Sequence, residues 1–262
     1  MFYEPNEIAI SERYLEKVFR RIKGDVCLLG GWATYEIVNM NFERLNGRRY
    51  IGSRDIDVGF HVGKGWSEEQ LRMSDFSVVI SLLEDMGFRS VSFRFLKDFD
   101  LETGRELTAE ESARLPLYQV FQLYVDPVVD YIHPKMKDMF GFVPIDEPLL
   151  SLVFADRIYT VASLFGRNVL LPKPHVLLAM KLSSVVNRDK EYKRIKDIAD
   201  IYAVLWFSDV NITELKTDLL SIYPEEKIRK TVRGFTKEEI NKVSAAIGIS
   251  SDEITRVLAE FR

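Results

Sequence analysis

The sequence predicts an α/β (α+β) protein with a mixed first domain, residues 1–172, and an α-helical second domain, residues 173–262. In the first part, short apolar runs bounded by turn residues alternate with segments of helical spacing. From Pro174 onward, apolar residues recur at helical spacing almost throughout. With 262 residues, 47% of them hydrophobic, the chain is long enough for two modest domains with buried cores.

The first domain is predicted to begin with a helix over residues 11–22 and a buried strand over residues 26–29. Gly30-Gly31 forms the turn into a helix over residues 32–38, and residues 55–60 form the next strand. Ser74 is the predicted N-cap of a helix that Gly87 ends, and residues 88–96 have strand character.

The remaining segments are predicted from apolar runs and turn residues. Residues 98–116 are polar and charged, which predicts a long hairpin excursion or a mobile loop. The apolar runs 120–125 and 128–132 are predicted strands separated by a turn at Asp126-Pro127, and residues 136–171 are predicted irregular strands with a hairpin turn at 165–169. The later helices cover residues 213–222, 225–232, 236–246 and 251–261, after two helical segments that include 176–188 and 195–205. Thr236 opens one of them with a capping box.

Composition argues against several classes of protein. The net charge of −4 gives no general attraction to nucleic acid. We expect no membrane span and a cytoplasmic location, because no run of 18 uncharged apolar residues occurs and the first residues lack the features of a signal peptide. The single cysteine, Cys27, lies among apolar residues and is predicted to be a buried small hydrophobe.

The strongest chemical signal is a pair of acidic residues in an apolar strand. Side chains alternate along a strand, so Asp55 and Asp57 project to one face while Ile56 and Val58 project to the other. Two carboxylates on one face repel each other unless a cation lies between them, and Mg²⁺ prefers oxygen ligands of this kind. The alternative is a solvated strand edge without chemistry.

A third carboxylate would complete a metal site. Asp130 is the candidate, because it is an acid among apolar neighbours and burying it unpaired would be costly. Asp126 is the alternative, although an acid before Pro127 is also typical of a turn. Gly30 and Gly31, at the start of a helix, are candidates for binding a phosphate through backbone N–H groups.

These motifs in this order resemble the nucleotidyltransferase superfamily that includes DNA polymerase β. The resembling features are a strand, Gly30-Gly31, a helix, residues 53–58 with both aspartates, and a later strand bearing Asp130. The tail looks like the Lys…Arg…Lys-Asp-x-x-Asp signature of the AbiEii branch of toxin-type nucleotidyltransferases, with these residues in the matching positions: Lys181, Arg188, Lys196, Asp197 and Asp200. The resemblance spans roughly residues 26–206, but the gap between Gly31 and Asp55 is longer than in minimal members and residues 98–116 have no counterpart.

The resemblance implies a nucleotidyltransferase-type mixed sheet flanked by helices, and a transfer reaction. Asp55, Asp57 and Asp130 would hold two Mg²⁺ ions, with Mn²⁺ as a substitute, while a nucleoside monophosphate passes from a triphosphate such as ATP to a hydroxyl. Gly30, Gly31 and Ser53 would contact the triphosphate.

The residues of the tail have two interpretations each. Lys181 and Arg188, seven residues apart on one predicted helix face, would either reach the triphosphate or form a solvated basic stripe. Lys196, Asp197 and Asp200 would either support catalysis or form ion pairs that fix their helix.

Function is therefore predicted as Mg²⁺-dependent nucleotidyl transfer to RNA (tRNA included), a protein or a small molecule of the aminoglycoside kind. A toxin role with an antitoxin partner is one form of this prediction. The alternatives are a catalytically weak nucleotide-binding or interaction module with the same fold, and a metal-dependent phosphoesterase. Alignment of three carboxylates on one wall would favour the transferase over the interaction module.

Overall fold

The protein is described by a computed structural model that covers residues 3–261. It confirms the α/β class with a mixed sheet and a helical C-terminal part. Within these residues the helices are α1 (Pro5–Arg21), α2 (Gly30–Asn46), α3 (Glu68–Arg72), α4 (Asp75–Asp85), α5 (Ala109–Arg114), α6 (Met136–Phe140), α7 (Leu150–Phe154), α8 (Pro174–Val185), α9 (Glu191–Phe207), α10 (Ile212–Ile222), α11 (Glu225–Arg233), α12 (Lys237–Ile247) and α13 (Ser251–Ala259). The strands are β1 (Cys27–Leu28), β2 (Ile56–Phe60), β3 (Arg89–Val91), β4 (Arg94–Asp100), β5 (Glu106–Leu107), β6 (Val120–Val129), β7 (Ile145–Asp146), β8 (Tyr159–Leu164) and β9 (Arg167–Pro172).

The chain forms two compact units. The sheet unit consists of Tyr3–Leu29 and Gly52–Leu171, and the helical unit consists of Gly30–Ile51 and residues 172–261. Within the helical unit, α2 packs against α8 and α9. The division into domains 1–172 and 173–262 stays a prediction, and the packing groups α2 with the C-terminal helices.

The sheet unit contains a nine-stranded mixed sheet. Its main path runs β3-β4-β6-β2-β1-β9-β8, with β5 on β4 and β7 on β6. β2 is parallel to β6, whereas β1 is antiparallel to β2 and β4 is antiparallel to β6. The apolar side chains of Ile56, Val58 and Phe60 are buried, and they anchor β2 at the centre of this path.

Strand β6 differs from the sequence prediction. Instead of two strands and a turn at Asp126-Pro127, one strand runs through both residues. A proline inside a sheet removes a ladder donor. Pro127 is tolerated because β4 pairs with β6 only as far as Val125 and β7 begins to pair at Val128, so neither strand lies opposite Pro127 on that side.

Other segments agree with the predictions or extend them. Residues 98–116 form the β4–β5 hairpin and then α5, so the hairpin prediction is confirmed and the segment is folded. The predicted hairpin turn joins β8 to β9 through Phe165 and Gly166, which both have positive φ. Helix α1 begins earlier than predicted, because Pro5 occupies its first turn and Glu7 accepts the backbone N–H of Glu4.

The helical unit follows the predicted pattern of amphipathic helices. The capping box of α12 is present, with Thr236 Oγ1 accepting from Glu239 N and Glu239 Oε2 accepting from Thr236 N. Helix α9 is buried along most of its length and contacts α2, α8, α10, α12 and α13. Among residues 3–261, no helix has the length and apolar character needed to cross a membrane.

An ion-pair network, called here the helical cluster, joins α8 to α9. It consists of Lys181, Arg188, Lys196, Asp197 and Asp200. Lys181 Nζ lies 2.9 Å from Asp197 Oδ1 and 2.7 Å from Asp200 Oδ2, and Lys196 Nζ lies 2.5 Å from Asp200 Oδ1. Arg188 Nε contacts Asp197 Oδ2 at 2.5 Å. The Tyr50 hydroxyl donates to Asp200 Oδ1 at 2.9 Å, so the network also ties the segment after α2 to α9.

Neighbouring charges outweigh the effect of burial on the pKa values of Lys181 and Asp197 in the helical cluster. Burial opposes the charged form of Lys181, but Asp197 and Asp200 outweigh burial and raise its pKa. Burial likewise opposes ionisation of Asp197, yet Lys181 and Arg188 hold the pKa of that carboxyl below its usual value. Burial lowers the pKa of Lys196, with Asp200 opposing the shift. The cluster therefore depends on each charge having its partner.

We expect Lys181→Met to destabilise the protein strongly. The substitution fills a similar volume but leaves the buried Asp197 and Asp200 without their shared cation, which costs about 3–5 kcal/mol. Chemical denaturation measures this loss. Lys227→Met, at an exposed position of α11, is the matched control and should change the free energy of unfolding by no more than about 0.5 kcal/mol. Equal stability of the two variants would contradict the structural role of the cluster.

The pH dependence of stability should show the contribution of Asp197. Because its folded pKa lies below the ordinary value of 3.8, its stabilising effect is complete above that value and disappears as the pH falls through the folded pKa. We expect Asp197→Asn to be less stable than the wild type at pH 7. The difference in their free energies of unfolding should narrow as the pH falls below about 4. Denaturation curves between pH 3 and pH 7 test this. A difference in free energy of unfolding that does not change with pH would show that the charge of Asp197 does not stabilise the fold.

Candidate acidic site on strands β2 and β6

The pairing of β2 with β6 brings two aspartates side by side. The parallel register matches Asp57 with Asp126, so both side chains project from the same face of the sheet. Asp55 precedes β2 by one residue and is half-buried. Asp126 is 5% exposed. The three residues Asp55, Asp57 and Asp126 are called here the acidic site.

The face that carries Asp57 is covered further along the strand. A Cβ atom at Gly59 would lie 2.9 Å from Leu29 Cδ1 and 3.1 Å from Leu150 Cδ1, which explains the glycine there. Leu29 also donates its backbone N–H to the carbonyl oxygen of Asp57. Asp57 and Asp126 therefore lie next to the point where apolar side chains cover the sheet.

A guanidinium group contacts two of the three carboxylates. Arg94 Nε donates to Asp126 Oδ1 at 2.8 Å, Arg94 Nη2 donates to Asp126 Oδ2 at 2.6 Å, and the same Nη2 lies 3.4 Å from Asp55 Oδ2. The guanidinium carbon lies 3.8 Å from the centre of the Tyr124 ring. Arg94 is thus held both by a bidentate ion pair and by stacking on an aromatic ring.

Burial and the neighbouring charges shift the pKa values of Asp126 and Arg94. Burial raises the pKa of Asp126 to about 7, with Arg94 opposing the rise and Asp57 and Asp55 adding to it. Burial would lower the pKa of Arg94, but the contact with Asp126 and the charges of the other two carboxylates raise it. A carboxyl with a strongly raised pKa beside other carboxylates is typical of functional sites.

The chemistry of the donors suits a hard divalent cation, since all three are carboxylates. In the present arrangement, however, no group of three His, Cys, Asp or Glu side chains within residues 3–261 is placed to hold a metal ion. Arg94 lies against Asp126 and Asp55 and acts as the local cation. The oxygen donors suit magnesium, and Arg94 contacts two of the three carboxylates that would bind it.

Asp130 lies elsewhere. Its carboxylate accepts the backbone N–H of Val62 at 2.7 Å and contacts His61 Nδ1 at 2.6 Å. Asp130 lies four residues beyond Asp126, which corresponds to about 13 Å along an extended strand. The structure therefore groups Asp126, the alternative from the sequence, with Asp57, and places Asp130 with His61 at the other end of the strand pair.

The residues predicted to contact a triphosphate belong to different units. Gly30 and Gly31 open α2 in the helical unit, and Gly30 has a φ of 62°, a conformation that favours glycine. Ser53 is buried and lies in the sheet unit, two residues before Asp55. Their contact with a triphosphate stays a prediction.

Lys181 and Arg188 do not share a helix face. Helix α8 ends at Val185, so Arg188 lies beyond it, and the two residues meet on Asp197 instead. The weak helix formers Val185, Val186 and Asn187 account for the early end. Lys181 is buried, which excludes a solvated basic stripe at that position. The contacts of Lys196, Asp197 and Asp200 correspond to the structural interpretation, in which ion pairs fix helix α9.

Arg94, Tyr124 and the pairing of His61 with Asp130 are not predicted from the sequence. Arg94 alternates with Phe93 and Phe95, which is typical of a strand residue with one face towards water. That alternation predicts which face of the sheet Arg94 lies on, but it does not predict which strand lies beside it. The contact of Arg94 with Asp126 therefore has no local signal in the sequence.

Comparison with known proteins finds a distant structural similarity. No family model and no curated protein match the chain. The crystal structure of an antigenic nucleotidyltransferase-like protein from Paracoccidioides brasiliensis is similar at a TM-score of 0.41 and 17% sequence identity, over 93% of this chain and 92% of that chain. This chain is thus distantly similar in structure to a nucleotidyltransferase-like protein.

Proposed function

We propose that the protein is a Mg²⁺-dependent nucleotidyltransferase that transfers a nucleoside monophosphate from a triphosphate to a hydroxyl acceptor. The observation that carries this proposal is the register of β2 with β6, which sets Asp57 beside Asp126 with Asp55 nearby. The sequence resemblance placed two of these carboxylates in the catalytic set, and the third lies on the neighbouring parallel strand.

The reaction is an in-line displacement at the α-phosphorus. The acceptor oxygen forms a bond to phosphorus, the bond between the α-phosphorus and the bridging oxygen breaks, and pyrophosphate leaves. Bound magnesium would neutralise charge on the phosphates and favour loss of the acceptor proton. Asp55 and Asp57 would hold the metal, and Ser53 would bind a phosphate oxygen. Most of the rate acceleration would come from positioning and charge neutralisation.

More specifically, we propose that the protein is an AbiEii-type toxin, with ATP as one of the candidate nucleotides. The acceptor would be tRNA or another RNA, a protein or a small molecule, with an antitoxin as partner and the cytoplasm as location. Its support is the order of Lys181, Arg188 and the Lys196-Asp197-x-x-Asp200 segment in the sequence.

A second candidate is a nucleotide-binding or interaction module with little catalytic activity. The contact between Arg94 and Asp126 favours it, because an ion pair already neutralises one carboxylate of the acidic site. The two candidates differ in whether bound nucleotide is turned over.

Nucleotide binding should raise the melting temperature in a Mg²⁺-dependent manner. A ligand present at 100 times its Kd and bound only to the folded state adds about 2.7 kcal/mol of stability. We expect this shift with at least one of ATP, GTP, CTP and UTP, and we expect the double variant Asp55→Asn/Asp57→Asn to lose it. The control is Asp85→Asn, which changes an exposed aspartate of the sheet unit. Absence of a shift with all four triphosphates would refute the proposal.

Transfer should be visible as label from an α-³²P triphosphate in RNA, protein or small-molecule fractions of a cell extract. We expect Asp57→Asn to reduce the initial rate by more than about 100-fold, since substitutions beyond the ligands themselves already cost about 10- to 100-fold at metal sites. Asp85→Asn should transfer label at the wild-type rate. Nucleotide binding without any labelled product would favour the interaction module.

A further inference from the structure

Arg94 already occupies the position of a cation in the acidic site. Both oxygens of Asp126 accept hydrogen bonds from its guanidinium, at 2.8 and 2.6 Å, and Asp55 Oδ2 lies 3.4 Å from Nη2. Two parallel N–H···O bonds of this kind fix both the distance and the plane of the pair. One lone pair on each oxygen of Asp126 is therefore directed at Arg94, and a metal ion at Asp126 would compete with the guanidinium for this carboxylate.

Arg94 is fixed from three directions. Its backbone begins strand β4, and the next residue, Phe95, pairs with Val125, the residue before Asp126. The flat guanidinium stacks on the Tyr124 ring at 3.8 Å, and the side chain is 18% exposed. An arginine held by its strand, by a ring and by a bidentate acceptor has few other rotamers available.

We propose that Arg94 is a built-in cation that takes the place of one metal ion, so that the acidic site binds a single divalent ion through Asp55 and Asp57. Asp126 is then the counter-ion of Arg94 and not a metal ligand. This inference rests on the proposed function and departs from the pair of ions that the sequence resemblance implies.

A second ion at Asp126 would meet a positive charge. Both oxygens of Asp126 already accept hydrogen bonds from the guanidinium of Arg94. A second ion bound by Asp126 would lie against the guanidinium, and two cations at that distance repel each other. Arg94 acts through the carboxylates and is therefore a positioning residue in this scheme.

The test is a titration with Mn²⁺ alone, with the free ion followed by electron paramagnetic resonance on the full chain. The wild type should bind one ion. Arg94→Met keeps an apolar stem over Tyr124 but frees Asp126, so this variant should bind two. Asp126→Asn should keep one ion with nearly wild-type affinity, whereas Asp57→Asn should lose at least about 10-fold in affinity.

The matched control is Arg89→Met, because Arg89 forms a similar pair with Asp98 at 2.5 Å on β3 and β4. It should bind one ion like the wild type. Two ions in the wild type would overturn the inference and leave the proposed function intact. The inference also fails if Asp126→Asn loses as much affinity as Asp57→Asn, or if folded Arg94→Met binds only one ion. No binding by the wild type would refute the metal site on which the proposed function depends. The wild-type count requires no variant to fold.

Discussion

The parallel pairing of β2 with β6 is the constraint from which the acidic site follows. Because side chains alternate along both strands, the match of Asp57 with Asp126 fixes which residues share the face. A shift of one residue would turn Asp126 to the opposite face and expose the buried side chains of β6. The same register places the C-terminal end of β6 beside Phe60, which explains why Asp130 meets His61 and not Asp57.

Two clusters of charged side chains differ in their balance of charge. In the helical cluster, the cations Lys181, Arg188 and Lys196 face Asp197 and Asp200, so every buried carboxylate has a cation beside it. In the acidic site, the guanidinium of Arg94 contacts two carboxylates, those of Asp126 and Asp55. A balanced, buried set of ion pairs fixes helices to each other, and its members have little charge left for a ligand. An excess of negative charge, in contrast, is what a cation recognises.

The local elements could be predicted from the sequence, and the contacts between strands could not. Helices with clear caps, such as α4 after Ser74 and α12 after Thr236, and the turn at Phe165-Gly166 depend on neighbouring residues, so their signals are local. The prediction divided strand β6 in two because proline usually lies in turns. Pro127 is tolerated inside the strand because β4 stops pairing before it and β7 begins pairing after it. The partner of Asp57 depends on register between distant segments, and the partner of Asp126 is an arginine 32 residues away. Neither of these long-range contacts can be predicted from the order of residues.

The acidic site carries a cost that the rest of the sheet must offset. Asp126 has a folded pKa raised above its ordinary value of 3.8, so the folded state holds that proton more tightly than the unfolded chain does. The resulting stability is complete below the ordinary value and is lost as the pH rises through about 7. At neutral pH and above, the ionised form of Asp126 therefore depends on its bidentate contact with Arg94, which opposes the rise of its pKa.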